Sequence, residues 1–260
     1  SPRTSIAVDV NPSITASVAN GASSTSACGA SAITFTASPT NGGSSPTYQW
    51  YLNGSAVGNG ASTYVTNPAA DNAGNYSGTW NSGSNQGSGM GPWAFTVGNS
   101  SGAFIGNPSN DGNGTAGIGT SAHGLYANGN EYINTTRNFS TPMQIGDELR
   151  FYWVFNWDAN GGGKGFDLKA SGSTIFIVNN GVGSTITAGG ATADDGYGTT
   201  PMYVTVKRTS ASVYTFTMTR RSNGTTYTAT FNNSNAIDGI NFYIGNQNDA
   251  SGNRNLYFNG

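Results

Sequence analysis

Few side chains in this sequence could perform acid–base or nucleophilic chemistry. His123 is the only histidine, and it stands in a turn-like context without an accompanying nucleophile, which favours a structural role. Two carboxylate pairs, Asp-Glu at 147–148 and Asp-Asp at 194–195, are adjacent in sequence. Neighbouring residues on a strand point to opposite faces, so neither pair is a ready acid and base. We therefore predict a protein that is not an enzyme.

Two oxygen-rich segments offer a better case for a bound metal ion. Asp111 and Asn113 belong to one Asp-x-Asn-Gly segment, and Asp158 and Asn160 belong to another. Carboxylate and amide oxygens suit a hard cation, so calcium is the possible cofactor that these four residues predict. Both segments lack the downstream Glu of a full calcium loop, and the pattern Asp-x-Asn-Gly is also common in turns. An ordinary turn is therefore the alternative interpretation.

Aromatic residues near loops suggest a surface for sugars. An exposed aromatic face can stack on a sugar ring while amides and acids bind the hydroxyls. Packing at strand ends is the alternative for each such residue. The candidate glycan-binding residues, which lie in or near Gly-rich and Asn-rich stretches, are Trp80, Trp93, Tyr126, Trp157 and Tyr197.

Charged side chains are scarce along the whole chain. They make up 8% of the 260 residues, and Asp71 is the only one between Asp9 and Asp111. A typical soluble domain has about a quarter of its residues charged. A surface hydrated by hydroxyls and amides suits packing against neighbouring copies or binding neutral polymers. A net charge of −2 without a basic patch argues against nucleic acid, and the lack of a long apolar run argues against membrane insertion.

The elements that must position these residues are short β-strands. Asn-Gly pairs mark hairpin turns, and apolar and polar residues alternate between them. In 213–219, Tyr214, Phe216 and Met218 share one face, whereas 149–157 is apolar on both faces and predicts a central or covered strand. Helical periodicity is absent. The strands predicted from residue 132 onward are 132–138, 149–157, 165–170, 174–178, 202–208, 213–220, 225–231 and 239–245. Their spacing predicts a jelly-roll or concanavalin-like β-sandwich.

Residues 27–66 resemble a known family. They contain Ala-Cys-Gly-Ala at 27–30, Ile-Thr-Phe-Thr-Ala at 33–37, Pro-Thr-Tyr-Gln-Trp-Tyr-Leu-Asn-Gly at 46–54 and Ser-Thr-Tyr at 62–64. This stretch is similar to the Ig-like or PKD-like repeats of large secreted and surface proteins of Bacteroidetes. The resemblance implies an Ig-like sandwich with Trp50 in its core and an extracellular or cell-surface location. The second Cys that the family often carries is missing, which makes Cys28 a structural thiol.

A second resemblance concerns the domain boundary. Asp71, Gly74 and Tyr76 have the spacing of a tyrosine corner, which would complete the first domain near residue 97. The alternative rests on Asn-Tyr-Ser-Gly-Thr-Trp at 75–80, Gly-Ser-Asn-Gln-Gly-Ser-Gly at 83–89, Trp93 and Gly-Ala-Phe-Ile-Gly at 102–106. These segments resemble the opening of an uncharacterised β-sandwich module of secreted bacterial proteins, which would start at Asp71 and have its later parts at 124–127, 136–139, 237–240 and 255–258. We predict an all-β chain with an Ig-like sandwich at 1–97 and a jelly-roll or concanavalin-like sandwich at 98–260. The boundary is placed within 70–98.

Two functions are compatible with this organisation. The first is an extracellular bacterial structural or adhesive protein, a self-associating subunit of a surface filament, sheath or matrix, because the charge-poor stretch spans a whole domain. The alternative is a non-catalytic carbohydrate-binding module of a secreted protein, with neutral glycans as partners. Residues 4–10 are β-prone and predict a donor strand that joins copies into a homopolymer. Folding back into its own domain is the other possibility for this segment.

Overall fold

The computed structural model of the chain is built almost entirely from β-strands. Within the residues that it describes there are nineteen strands and two short 3-10 turns. No helix in these parts of the chain is long and apolar enough to cross a membrane. The described ranges are 14–24, 33–52, 54–57, 60–66, 69–77, 80–156, 162–181, 183–196, 199–245 and 254–260. The prediction of an all-β chain is confirmed.

The N-terminal part forms two small antiparallel sheets. Their strands are β1 (Ser17–Ala22), β2 (Thr34–Thr40) and β5 (Thr63–Val65) in one sheet, and β3 (Trp50–Leu52) and β4 (Ser55–Val57) in the other. The rings of Phe35, Trp50 and Tyr64 lie 6.2 to 6.5 Å apart between these sheets. All three are only half-buried, so this aromatic cluster stays partly open to solvent. The Ig-like sandwich stays a prediction.

Two seven-stranded antiparallel sheets form a large sandwich. The first sheet runs, in spatial order, β17 (Thr226–Asn232), β16 (Val213–Arg220), β15 (Met202–Arg208), β10 (Glu148–Phe155), β19 (Leu256–Asn259), β8 (Ala122–Ala127) and β7 (Ser101–Gly106). The second sheet runs β14 (Ala191–Asp195), β13 (Thr185–Ala188), β12 (Ser173–Asn180), β11 (Gly163–Ala170), β18 (Gly239–Gly245), β9 (Tyr132–Asn138) and β6 (Ala94–Val97). The prediction of a large C-terminal β-sandwich is confirmed.

Alternation along the strands explains why the two sheets pack face to face. On β16, Tyr214, Phe216 and Met218 are buried, as their period of two predicts. β10 lies inside the first sheet and sends Phe151, Trp153 and Phe155 into the core. Its outer face is also covered, because Val154 packs in a separate cluster with Ile118, Ala122 and Tyr257. The prediction that this strand is central is confirmed.

The core of the sandwich extends back to residue 76. Tyr76, Trp80 and Trp93 belong to the same buried cluster as Phe151 and Phe242. The tyrosine-corner spacing would assign Tyr76 to the first domain, but its ring packs among residues of the sandwich. The domain boundary within 70–98 stays a prediction.

Candidate functional site

Asp71, the only charged residue between Asp9 and Asp111, lies in a buried hydrogen-bonded cluster. Its Oδ2 accepts hydrogen bonds from the Tyr76 hydroxyl at 2.8 Å and from Trp93 Nε1 at 2.9 Å. The same oxygen pairs with the guanidinium of Arg137. The side chains of Arg137 and Asp71 are 1% and 7% exposed. Because an ionised carboxylate is costly to bury without partners, these three donors are what allow Asp71 to remain inside.

Arg137 is held in place by more than its carboxylate partner. It occupies an inward-facing position of β9, where a polar side chain must find partners within the core. Nη1 donates to the Tyr76 hydroxyl at 2.7 Å, and Nη2 donates to Asn85 Oδ1 at 2.5 Å. The guanidinium carbon also lies 5.1 Å from the centre of the Trp93 ring, within the range of a cation–π contact. The cluster is therefore a rigid, mutually oriented group.

The backbone at Gly87 lies directly against the buried cluster of Asp71 and Arg137 and shields it. Ala70 and Ser88 exchange backbone hydrogen bonds of 3.1 and 2.9 Å, which draws the Gly-rich stretch over the ion pair. A Cβ at Gly87 would lie 2.9 Å from Asp71 Oδ1 and 2.8 Å from Arg137 Nη2. Only glycine leaves room for the backbone at this position.

His123 lies on β8, so the turn-like context expected from the sequence is wrong. Its ring stacks on Phe258 at 5.1 Å and meets Tyr76 edge-on at 5.0 Å. Nε2 is 3.9 Å from Asp71 Oδ2, which is too far for a hydrogen bond. Burial, reinforced by the charge of Arg137, lowers the pKa of His123 to about 3. The imidazole is therefore neutral near pH 7 and cannot serve as the cationic partner of Asp71.

A cavity of about 560 Å³ opens beside the cluster, and we name it the mixed cavity. Tyr64 of the N-terminal part lies on one side, and Trp93, Phe151 and Phe258 of the sandwich lie on the other. Its ionisable lining is balanced, with three acidic and three basic residues: Asp71, Asp147, Glu148, Arg137, Arg150 and Lys207. Acidic and basic side chains are therefore equal in number among the described residues that line it.

The rim of the mixed cavity joins the two parts of the chain. Val57 is buried against Gly146, where a Cβ would come within 2.5 Å of Val57 Cγ1. Gln144 donates its backbone N–H to Asp147 Oδ2 at 2.7 Å, and burial raises the pKa of Asp147. The pKa of Tyr64 is also raised, first by burial and then by the charge of Asp147. Tyr64 and Asp147 therefore both line the mixed cavity and lie close enough for the carboxylate charge to act on the phenol.

The candidate glycan-binding aromatic residues are only partly accessible to a ligand. Trp80 is fully buried, 5.2 Å from Trp93 and 4.9 Å from Phe95, so it packs in the core and offers no free face. Trp93 lines the mixed cavity, but its exposed fraction is 4%. Tyr126 is 37% exposed on the outer face of β8, where it lies over Gly102 and outside the cavity. The other two candidates, Trp157 and Tyr197, lie outside the described residues.

The predicted calcium ligands fall at a separate place. Asp111 Oδ2 accepts hydrogen bonds from Asn255 Nδ2 at 2.8 Å and from the Tyr257 hydroxyl. Asn113 is 4% exposed, and neither polar atom of its side chain has a hydrogen-bond partner among the described residues. These residues contain no group of three or more His, Cys, Asp or Glu side chains that could hold a metal ion. Asp158 and Asn160 lie outside them, and calcium stays a prediction.

A second cavity, of about 520 Å³, lies beside β17, and none of the described residues that line it is charged. We name it the apolar cavity after the aromatic and aliphatic side chains in its walls, which stand beside Thr174 and Thr230. Tyr227, Ala229 and Phe231 of β17 contribute one wall, and Phe176 and Ile177 of β12 contribute the other. No sequence pattern predicted this cavity, because it depends on how far the ends of the two sheets stand apart.

Comparison with known proteins assigns no family. No family model and no curated protein matches the sequence. Among solved structures, lectin II from Ulex europaeus has a TM-score of 0.38 and 12% identity, over 64% of this chain and 92% of the lectin. A structure of lectin UEA-II complexed with galactose has a TM-score of 0.38 and 13% identity, with the same two coverages. Likeness at this level assigns neither a ligand nor a site.

Proposed function

We propose that the chain is a non-catalytic carbohydrate-binding module of a secreted protein, and that the mixed cavity holds a neutral glycan. The observation that carries this proposal is the balanced lining of the cavity, in which acidic and basic groups are equal in number beside aromatic rings. A sugar hydroxyl both donates and accepts hydrogen bonds, so it can satisfy carboxylates and guanidinium groups together. A charged ligand would gain no net attraction there.

The size of the mixed cavity and the position of Tyr64 support the same proposal. A volume of about 560 Å³ lies within the range of small-ligand sites. Tyr64 is half-buried at the rim, whereas Trp93 and Phe151 are nearly covered by their neighbours. Tyr64 is therefore the ring on which a sugar would stack, with Asp147 opposite it as a hydrogen-bond acceptor. Extracellular or cell-surface location belongs to this proposal, on the strength of the composition and the Ig-like resemblance.

Affinity electrophoresis in gels containing soluble mannan, galactan, arabinoxylan or β-glucan tests the proposal. Tyr64→Ala should weaken retardation roughly tenfold, the value of one stacking contact of about 1.4 kcal/mol. Tyr51→Ala is the matched control, because Tyr51 is 67% exposed and does not line the cavity. Asp147→Asn should also weaken binding. A parent chain that none of these neutral polysaccharides retards would contradict the proposal.

One observation favours a second candidate function, a self-associating subunit of a surface filament, sheath or matrix. The edge strand β17 carries no charged residue and no Pro. Edge strands of monomeric proteins are usually protected by such residues, because an open edge pairs with other strands.

A further inference from the structure

β17 ends the first sheet, and no described strand pairs with its outer edge. The register of the β16–β17 hairpin shows which backbone groups are left open. Arg220 donates its N–H to the carbonyl of Thr225, and Asn233 donates its N–H to the carbonyl of Ser212. Hydrogen-bonded and non-hydrogen-bonded pairs alternate in an antiparallel ladder. The N–H and C=O groups of Thr226, Thr228 and Thr230 therefore point away from β16.

The apolar cavity lies directly beside this open edge. Tyr227, Ala229 and Phe231 line it from β17, and Phe231 stacks on Phe176 of the facing sheet at 4.4 Å. Ile177 also lines the cavity and is 48% exposed. A strand added to β17 would direct every second side chain toward these residues. Backbone pairing and an apolar receptor for alternate side chains are the two requirements of strand addition.

Residues 4–10 lie outside the described residues, and their sequence pattern fits this receptor. The segment reads Thr-Ser-Ile-Ala-Val-Asp-Val, so Ile6, Val8 and Val10 share one face. Ser5 and Asp9 fall on the opposite face, together with Ala7. The one charge of the segment would thus point away from the uncharged cavity. On the outer face of the sheet it would lie beside the threonine side chains of β17, such as that of Thr228.

We propose that residues 4–10 of one copy of the chain add to β17 of another copy as a further strand of the first sheet, with Ile6, Val8 and Val10 over the apolar cavity. The inference rests on the second candidate function and is independent of glycan binding. The donor and the receptor are different surfaces, so each copy can join two neighbours. Such head-to-tail contacts grow into an open polymer unless the rotation between copies closes a ring.

Sedimentation velocity of the full chain and its variants over a concentration series tests the receptor. Thr228→Pro removes an N–H of the open edge and none from the ladder to β16, a position where Pro is tolerated. Thr228→Ala is the matched control, because it removes the same side chain and keeps the N–H. The parent and Thr228→Ala should form concentration-dependent polymers, and Thr228→Pro should sediment as a monomer.

A second pair of variants tests the donor without altering the receptor. Val8→Asp would place a charge over the apolar cavity, whereas Ala7→Asp adds the same charge to the opposite face. Burying an unpaired charge costs several kcal/mol, so Val8→Asp should weaken assembly by about 100-fold or more. Ala7→Asp should assemble like the parent. Val8→Asp does not alter β17, because residues 4–10 are not part of the receptor. If melting shows that Thr228→Pro is unfolded, the assembly of Val8→Asp still tests the proposed interface.

The outcomes that overturn the proposal differ from one another. A parent chain that stays monomeric at its highest soluble concentration overturns both self-association and this interface. A parent that polymerises together with folded Thr228→Pro overturns β17 as the receptor and leaves self-association standing. Polymers of Val8→Asp as strong as those of the parent overturn residues 4–10 as the donor.

Discussion

The mixed cavity and the apolar cavity have nearly the same volume, about 560 and 520 Å³, but opposite chemistry. The first contains a buried ion pair, a neutral histidine and a balanced set of charges. Among the described residues, none that lines the second is charged, and no strand pairs with the outer edge of the adjoining β17. The difference shows that volume alone says little about a ligand. Paired charges held in fixed positions suit hydroxyl groups, whereas an uncharged wall beside free backbone groups suits an extended peptide.

The largest effect expected from this difference is acid sensitivity caused by His123. Its pKa is about 3 in the folded chain and close to 6.5 in the unfolded chain. Between these values the unfolded chain binds a proton that the folded chain does not, so stability falls as the pH drops from 6.5 to 3. At about 1.4 kcal/mol per pH unit, the loss over this window is roughly 4 to 5 kcal/mol.

Urea unfolding at several pH values measures the effect. His123→Phe should remove it, so the stability of the variant should fall less steeply between pH 6.5 and 3 than that of the parent. The other titrating groups are common to both chains and cancel in the difference. Parallel curves over this window would show that His123 is not held neutral by the mixed cavity.

The second-largest expected loss of stability comes from breaking the buried ion pair of Asp71 and Arg137. Arg137→Met leaves the carboxylate of Asp71 without its cation, and removing one partner of a buried pair costs about 3 to 5 kcal/mol. Arg150→Met is the matched control, because Arg150 lines the same cavity but its side chain is 63% exposed. Loss of its ion pair with Glu148 should cost no more than about 1 kcal/mol. Equal losses in the two variants would remove the distinction between the buried and exposed pairs.

The smallest effects compare the Tyr76 hydroxyl, which bonds two residues that line the mixed cavity, with the Tyr227 hydroxyl in the wall of the apolar cavity. The Tyr76 hydroxyl bonds Asp71 and Arg137 at 2.8 and 2.7 Å, so Tyr76→Phe should cost about 1 to 3 kcal/mol. The Tyr227 hydroxyl is 3.5 Å from the carbonyl of Ala188, a weak contact, and Tyr227→Phe should change stability by less than about 0.5 kcal/mol. Denaturant midpoints measure both. A larger loss for Tyr227→Phe would mean that the apolar cavity depends on a polar contact after all.

Much of the sandwich could be predicted from local patterns. The predicted strands at 132–138, 202–208, 213–220 and 239–245 have the same bounds as β9, β15, β16 and β18. In these segments apolar and polar residues alternate clearly or β-propensity is strong, and the apolar face of each strand is the buried one. β7 was missed because Gly and Ser leave it little pattern, and β6 was missed because its four residues are too few to show one.

The candidate site was much harder to predict. The isolation of Asp71 was visible in the sequence, but its partner Arg137 lies 66 residues away and nothing local connects them. Trp80 was placed on a surface loop because Gly-rich stretches usually face solvent. Here the missing side chain of Gly87 allows the backbone to lie directly against the Asp71–Arg137 ion pair, so this Gly-rich stretch covers the core. Tyr64 and Asp147 come together only through the contact of two separate parts of the chain.

The position of β19 has a consequence for how the chain reaches its native state. β19 is inserted between β10 and β8, pairing Phe258 with Trp153 on one side and Leu256 with Leu125 on the other. Until residues 256–259 pair with β10 and β8, the first sheet is divided into two halves, and the edges that face each other have unpaired backbone groups. Such distant pairings slow folding and prolong the exposure of aggregation-prone strands. The first sheet of this chain is therefore complete only after residues 256–259 have paired with both of its halves.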